Sequence, residues 1–116
     1  MSLPDPATGP ELSPQAVADL AEAIREETCL LVDCREQDEW DFNRIPGATF
    51  APLSKFAQLA PALIQGGRPV IVYCHHGMRS LQASSWLRSR GLKTAWSMAG
   101  GIQAWSTSID PSVPTY

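Results

Sequence analysis

The 116-residue sequence contains no stretch of about 18 apolar residues, the length that a membrane-spanning helix requires. No charged region followed by an apolar segment opens the chain, so nothing in it is typical of a secretory signal. The chain has nine lysines and arginines and twelve aspartates and glutamates. This excess of negative charge provides no basic surface that would bind the phosphates of a nucleic acid. We therefore expect a soluble, cytoplasmic protein with neither a membrane nor a nucleic-acid partner.

Cysteine is scarce, with Cys29, Cys34 and Cys74 as its three occurrences, and the two histidines are adjacent. The odd number and the spacing of the cysteines fit neither a disulfide framework nor a zinc site. The sequence therefore predicts free thiols and no metal. A chain of this length can bury one core, so we expect one domain with a single active site.

Three segments can be distinguished along the chain. Residues 1–12 hold three prolines and a glycine without periodicity, which predicts a flexible leader. Residues 13–107 form the predicted domain, and residues 108–116 a C-terminal tail. The domain opens with an amphipathic helix that Ser13 can cap, and its apolar face has helical spacing. That face consists of Val17, Leu20, Ala21 and Ile24.

Unbroken apolar runs at residues 29–32 and 70–73 predict strands that are covered on both faces, as in a parallel sheet. Weaker strands are predicted at residues 93–96 and 48–51. The segments between the strands have helical patterns; they are residues 37–42, 54–65, 80–90 and 102–105. Strands that alternate with helices over short loops indicate an α/β fold with an open, mainly parallel sheet.

Cys74 directly follows the most apolar strand and precedes a helix, and ligands of open α/β sheets bind at this end of the strands. The N–H groups and the dipole of a helix N-terminus favour a thiolate over a thiol. Arg79, His75 and His76 would act in the same direction. Gly77 permits a positive φ, so that successive N–H groups can converge on the sulfur. The pattern predicts a Cys74 pKa lowered from about 8.5 toward neutrality.

The alternative is that Cys74 is an ordinary core residue, because free cysteines are among the most buried residues. The polar, glycine-containing loop that follows Cys74 disfavours this interpretation. His75 and His76 are individually expected to be loop residues with modest electrostatic influence, and Met78 a side chain at the rim of the loop.

The loop Cys-His-His-Gly-Met-Arg-Ser at residues 74–80 resembles the active-site loop of the rhodanese family of sulfurtransferases, in which the cysteine becomes a persulfide. Two further stretches resemble the family: Leu-Val-Asp-Cys-Arg-Glu at 31–36, followed by Ile-Pro-Gly-Ala at 45–48, and Met-Ala-Gly-Gly-Ile-Gln-Ala-Trp at 98–105. The resemblance spans roughly residues 13–107. It implies an open, mainly parallel five-stranded sheet flanked by helices on both faces.

The resemblance also implies that the strand of Asp33 and Arg35 lies beside the strand of Cys74. These two residues either steady the active-site loop or form a structural ion pair, and we favour the ion pair. Two positions depart from the family pattern: Asn43-Arg44 stands where Gly-His is usual, and Cys34 replaces an aliphatic residue. Cys34 could trap Cys74 as a disulfide, although most such cysteines only pack.

Dual-specificity phosphatases of the cell-cycle type share this architecture, as the resemblance implies, and place five residues between cysteine and arginine. Four residues separate Cys74 from Arg79 here. The shorter loop predicts a cradle that suits one sulfur atom better than a phosphoryl group. Phosphatase or arsenate reductase chemistry is therefore the less favoured alternative.

The predicted reaction is thiosulfate sulfurtransferase chemistry of the rhodanese type. The Cys74 thiolate attacks the outer sulfur of thiosulfate or a related small anionic donor, and sulfite leaves. Loop N–H groups from His75 through Ser80 stabilise the persulfide, and Arg79 attracts the donor. Cyanide or a thiol, including a protein thiol, then accepts the sulfur. No metal or organic cofactor is expected, and a protein-to-protein sulfur relay or a binding module remains the alternative.

Overall fold

The structure, a computed structural model, describes residues 3–116. The strands are β1 Glu11–Leu12, β2 Leu30–Asp33, β3 Thr49–Phe50, β4 Val70–Tyr73 and β5 Ala95–Met98. The α-helices are α1 Pro14–Ala18, α2 Ala21–Arg25, α3 Gln37–Phe42, α4 Phe56–Gly66, α5 Met78–Ser89 and α6 Gly101–Ser108. Short 3-10 helices at Pro6–Thr8 and Leu53–Lys55 complete the secondary structure of the described chain.

The strands form one five-stranded sheet in the order β1-β5-β4-β2-β3, and the four pairings are all parallel. β4 lies between β5 and β2, and all four residues of each of these three strands are buried. The predicted open parallel sheet is therefore confirmed. The unbroken apolar runs arise because both faces of these strands are covered.

Helices cover the two faces of the sheet with separate apolar clusters, which also confirms the prediction. On one face, Leu31 and Ile71 pack with side chains of α1, α2 and α6. On the other, Val32 and Val72 pack with side chains of α4 and α5, and Cys74 belongs to this second cluster. Among residues 3–116, no helix combines the length and the apolar character that crossing a membrane requires.

The N-terminal region differs from the expectation. Residues 1 and 2 of the predicted leader lie outside the described residues, but Glu11–Leu12 forms strand β1 and pairs with Ser97 and Met98 of β5. Irregular structure is therefore the wrong expectation for residues 11 and 12. A two-residue strand that is held by tertiary pairing has no local periodicity. The helix predicted from Ser13 is present but divides into α1 and α2.

The segment predicted as a C-terminal tail packs against the domain. α6 extends to Ser108, and Val113 is buried in the cluster that α1 and α2 cover. The Ser106 hydroxyl donates a hydrogen bond to the Val113 carbonyl, and the Asn43 carboxamide donates one to the Pro114 carbonyl. The second of these contacts holds the last residues close to the segment after α3.

Candidate active site

The loop around Cys74 joins the buried end of β4 to the N-terminus of α5. β4 ends at Tyr73, and α5 begins at Met78, two residues earlier than predicted. Gly77 precedes the helix with a φ of 110°. A Cβ atom at Gly77 would lie 3.3 Å from the Gly100 amide nitrogen, so glycine meets both a conformational and a spatial demand. The turn directs the first N–H groups of the helix toward Cys74.

Three groups of this turn lie within hydrogen-bond distance of the Cys74 sulfur. The Gly77 N–H donates to Sγ at 3.1 Å and the Ser80 N–H at 3.4 Å. The Ser80 hydroxyl lies 3.4 Å from Sγ and also 2.7 Å from the hydroxyl of Ser97 on β5. Because Cys74 is only 1% exposed, these donors replace water around the sulfur.

The surroundings of Cys74 lower its pKa to about 4, further than the sequence predicts. The leading cause is hydrogen bonding with the neighbouring Cys34 thiol. The Ser80 hydroxyl and the N–H groups of Ser80 and Gly77 add to it, and together they outweigh burial, which alone would raise the pKa. Cys74 is therefore a thiolate at neutral pH, the nucleophilic form of cysteine.

A second helix end holds the same loop from its other side. The Ile102 N–H, in the first turn of α6, donates to the Cys74 carbonyl at 2.8 Å, and the Gln103 N–H donates to the His75 carbonyl at 3.2 Å. Gly101 has a φ of 61°, and a Cβ atom there would overlap both carbonyl oxygens. The Gly100-Gly101 pair therefore allows α6 to approach the loop closely.

Arg79, which we expect to face inward or to lie at the rim of the entrance, is paired with an acidic side chain and partly exposed. Its guanidinium forms a bidentate pair with Glu39 of α3, with distances of 2.7 and 2.8 Å. Hydrogen bonding from Arg79 is the main cause that lowers the pKa of Glu39 to about 2, and the Tyr116 hydroxyl also donates to this carboxylate. The charge of Arg79 is thus compensated in the free protein, and the guanidinium is not among the donors to Sγ in the described chain.

Asp33 and Arg35 form a fully buried ion pair. The Arg35 guanidinium donates to Asp33 at 2.7 and 3.0 Å and to the side chain and carbonyl of Asn43 at 2.7 and 2.8 Å. Both residues are 0% exposed. Their contacts join the end of β2 to the segment after α3, which fits the structural role that we favour for this pair. Asn43, at a position that departs from the family pattern, supplies two of the acceptors.

The remaining residues of the loop lie at its rim. The His75 ring stacks on Tyr116 and contacts the His76 ring, with centroid distances of 3.9 Å for each pair. Met78 is 76% exposed. In residues 3–116, neither imidazole donates to the Cys74 sulfur, so their predicted modest influence is electrostatic at most. No group of three or more potential metal-ligating side chains occurs in this part of the chain.

Three residues that the sequence analysis did not place around the loop are close to it or to its partners: Glu39, Ser97 and Tyr116. Cys34, which the sequence analysis considered as a disulfide partner of Cys74, also lies beside it. Glu39 resembles any acidic residue in the first turn of a helix. Ser97 lies at the site because β5 is next to β4 in the sheet, and Tyr116 because the C-terminal segment packs against the domain.

Comparison with known proteins places this geometry in a family. The model of the rhodanese-like domain matches residues 16–108. The chain belongs to the rhodanese-like family. A thiosulfate sulfurtransferase (GlpE) of Pseudomonas fluorescens is 34% identical over 93 residues, which cover 80% of this chain and 84% of that relative. The family is one of sulfurtransferases, in agreement with the resemblance that the loop suggests.

Other rhodanese-like proteins show the same domain in different contexts. A rhodanese-like/PpiC domain-containing chloroplast protein of Arabidopsis thaliana is 40% identical over 89 residues, which cover 74% of this chain but 30% of that relative. A rhodanese-related protein from Thermoplasma volcanium, known from its crystal structure, is 28% identical in sequence to this chain. The two structures superpose with a TM-score of 0.72, and the match covers 93% of this chain and 100% of that chain. The rhodanese-like fold is therefore shared along nearly the whole chain.

Proposed function

We propose that this protein transfers sulfane sulfur from thiosulfate, or a related small anionic donor, to a thiol or cyanide through a persulfide on Cys74. The observation that carries the proposal is the set of N–H and hydroxyl donors around an enclosed sulfur with a strongly lowered pKa. These donors stabilise a thiolate before the reaction and can stabilise a charged persulfide after it.

The proposed reaction is a double displacement. The Cys74 thiolate attacks the outer sulfur of thiosulfate, a sulfur–sulfur bond forms, and the sulfur–sulfur bond of thiosulfate breaks as sulfite leaves with the electron pair. The negative charge of the thiolate passes to the outer sulfur of the persulfide. An acceptor nucleophile then attacks that outer sulfur and regenerates the Cys74 thiolate. This chemistry requires neither a metal nor an organic cofactor, because the protein itself carries the sulfur.

Two features favour sulfur over a phosphoryl group. Four residues separate Cys74 from Arg79, which limits the width of the turn. A phosphate dianion also needs charge-assisted donors, and Arg79 is bound to Glu39 by two hydrogen bonds. Met78 and His76 at the rim of the loop are exposed, and we propose that the acceptor, a small thiol or a protein thiol, approaches from this side. Three free cysteines suit a reducing compartment, and we place the reaction in the cytoplasm.

The test is a thiosulfate:cyanide assay that follows thiocyanate. Cys74→Ala is expected to abolish transfer because it removes the nucleophile. Cys29→Ala is the matched control: Cys29 is equally buried but lies in the cluster on the other face of the sheet, and burial raises its pKa to about 11. The control is expected to retain transfer. Substantial thiocyanate formation by Cys74→Ala would contradict the proposal, and an inactive wild-type protein that binds a partner tightly would favour a binding module.

A further inference from the structure

A second thiol lies beside Cys74, at the end of the adjacent strand. β2 and β4 pair in parallel with Asp33 opposite Tyr73, so the next residues of the two strands are Cys34 and Cys74. The Cys34 N–H donates to the Tyr73 carbonyl at 3.0 Å, which extends the pairing to this position. The two cysteines therefore occupy matching places although they stand 40 positions apart in the sequence.

Both thiols lie on the same face of the sheet. Side chains alternate along a strand, and Cys34 and Cys74 each stand two residues after a valine of the cluster that α4 and α5 cover. Neighbouring strands lie about 4.8 Å apart, which falls within the Cα separation of roughly 4.4–6.8 Å that a disulfide spans. The backbone thus permits a bond between the two sulfurs without a change in strand pairing.

Cys34 is protonated while Cys74 is a thiolate. Hydrogen bonding with the Cys74 thiolate, followed by burial, raises the pKa of Cys34 far above its ordinary value. In this state Cys34 is a thiol, which is not the nucleophilic form of cysteine. When Cys74 carries a persulfide, the charge lies on the outer sulfur, one bond farther from Cys34. The interaction that holds the Cys34 proton is then weakened, and the Cys74 sulfur becomes electrophilic.

Given the proposed function, we propose that Cys34 resolves the Cys74 persulfide when no acceptor removes its outer sulfur. The Cys34 sulfur attacks Cys74 Sγ, a disulfide bond forms, and the bond from Sγ to the outer sulfur breaks. The outer sulfur leaves with the electron pair and takes the Cys34 proton, so that hydrosulfide (HS⁻) is released. The sulfane sulfur is reduced, and the two cysteine sulfurs are oxidised. A small thiol or dithiol then reduces the disulfide and restores both cysteines.

This reaction would give the protein a second activity, the release of sulfide from a sulfane sulfur donor. Cys34 is 0% exposed, so its accessible reaction partner is Cys74 rather than a solute or another protein. Cys29 cannot replace it, because Cys29 packs in the cluster on the opposite face of the sheet. The inference therefore assigns the resolving role to one thiol and predicts one disulfide.

The test compares wild type with Cys34→Ala and Cys34→Val, two apolar replacements for a position in an apolar cluster, and with Cys29→Ala as the matched control. Each protein is loaded with thiosulfate at mildly alkaline pH, freed of excess thiosulfate and kept without acceptor. Released sulfide is measured over time, together with the intact mass under non-reducing conditions. Wild type and Cys29→Ala are expected to release one equivalent of sulfide per persulfide and to yield a peptide pair linked through Cys34 and Cys74. Both Cys34 variants are expected to retain the persulfide.

The outcomes separate this inference from the proposed function. The resolving role of Cys34 is overturned if the persulfide decays at the same rate in wild type and in Cys34→Ala, or if it persists equally in both. Either result leaves the proposed sulfur transfer intact. If no chain gains sulfur, including folded Cys34→Ala and Cys34→Val, both proposals are wrong. Circular dichroism establishes folding of each variant.

Discussion

The Ser80 hydroxyl offers a direct test of how the loop activates Cys74. Ser80→Ala removes a hydroxyl that lies 3.4 Å from the sulfur and keeps the Ser80 N–H, which donates through the backbone. The remaining donors still stabilise the thiolate. We therefore expect the pKa of Cys74 to rise without the loss of its nucleophilic form at neutral pH.

The size of the effect follows from the contact. Hydrogen bonds to charged groups contribute about 1.5–3 kcal/mol, and a contact of 3.4 Å to sulfur belongs at the lower end of that range. One pKa unit corresponds to about 1.36 kcal/mol, so the variant should shift the pKa of Cys74 by about one unit. The pKa of Cys74 would thus rise by about one unit from its wild-type value of about 4. In both proteins thiolate is lost as the pH falls through the pKa, and the variant loses it at the higher pH.

The assay is a titration of the thiolate absorbance in the ultraviolet, with Cys74→Ser as the reference for other chromophores. Ser84→Ala is the matched control, because Ser84 is buried on the same helix and its hydroxyl donates to the Leu81 carbonyl. The control should titrate like wild type. An unchanged pKa in Ser80→Ala, or an equal shift in Ser84→Ala, would refute the assignment of the hydroxyl as a donor to the thiolate.

Two further substitutions test the supports of the loop. Gly101→Ala should destabilise the protein by more than about 2 kcal/mol and abolish transfer, because its Cβ would overlap two loop carbonyls at a positive φ. Gly66→Ala, where a Cβ meets only the Arg68 side chain at 4.0 Å, should leave the urea midpoint nearly unchanged; equal midpoints for the two variants would argue against the close approach. Asp33→Ala should cost about 3–5 kcal/mol, because it leaves Arg35 buried without its counter-ion. A loss under about 1 kcal/mol in urea unfolding would show that the pair does not support the fold.

Much of the fold could be predicted because the signals that define it are local. β2 and β4 are unbroken apolar runs since both of their faces are covered, and polar residues mark the turn from β4 into α5. β1 gave no such signal, because Glu11–Leu12 is a strand only through its pairing with β5. Its two residues alternate too briefly to be distinguished from an irregular segment.

The candidate active site could likewise be predicted only where its residues are close in the sequence. Cys74, Gly77 and Ser80 lie within one short turn, so their proximity could be predicted from the sequence. The partner of Arg79 could not, because Glu39 comes from a helix 40 residues earlier and bears the same charge as several neighbours of that helix. For Cys34, the sequence showed an unusual thiol, but only the register of β2 against β4 places it opposite Cys74.

The central claim is that Cys74 carries sulfur, and the intact mass of the protein tests it most directly. Wild type and Cys74→Ser are mixed with thiosulfate, quenched with acid directly after mixing and measured under non-reducing conditions. The account predicts a gain of one sulfur atom by wild type, assigned by peptide mapping to Cys74, and no gain by Cys74→Ser. A wild-type protein of unchanged mass, or an added sulfur on Cys29 or Cys34, would contradict the account.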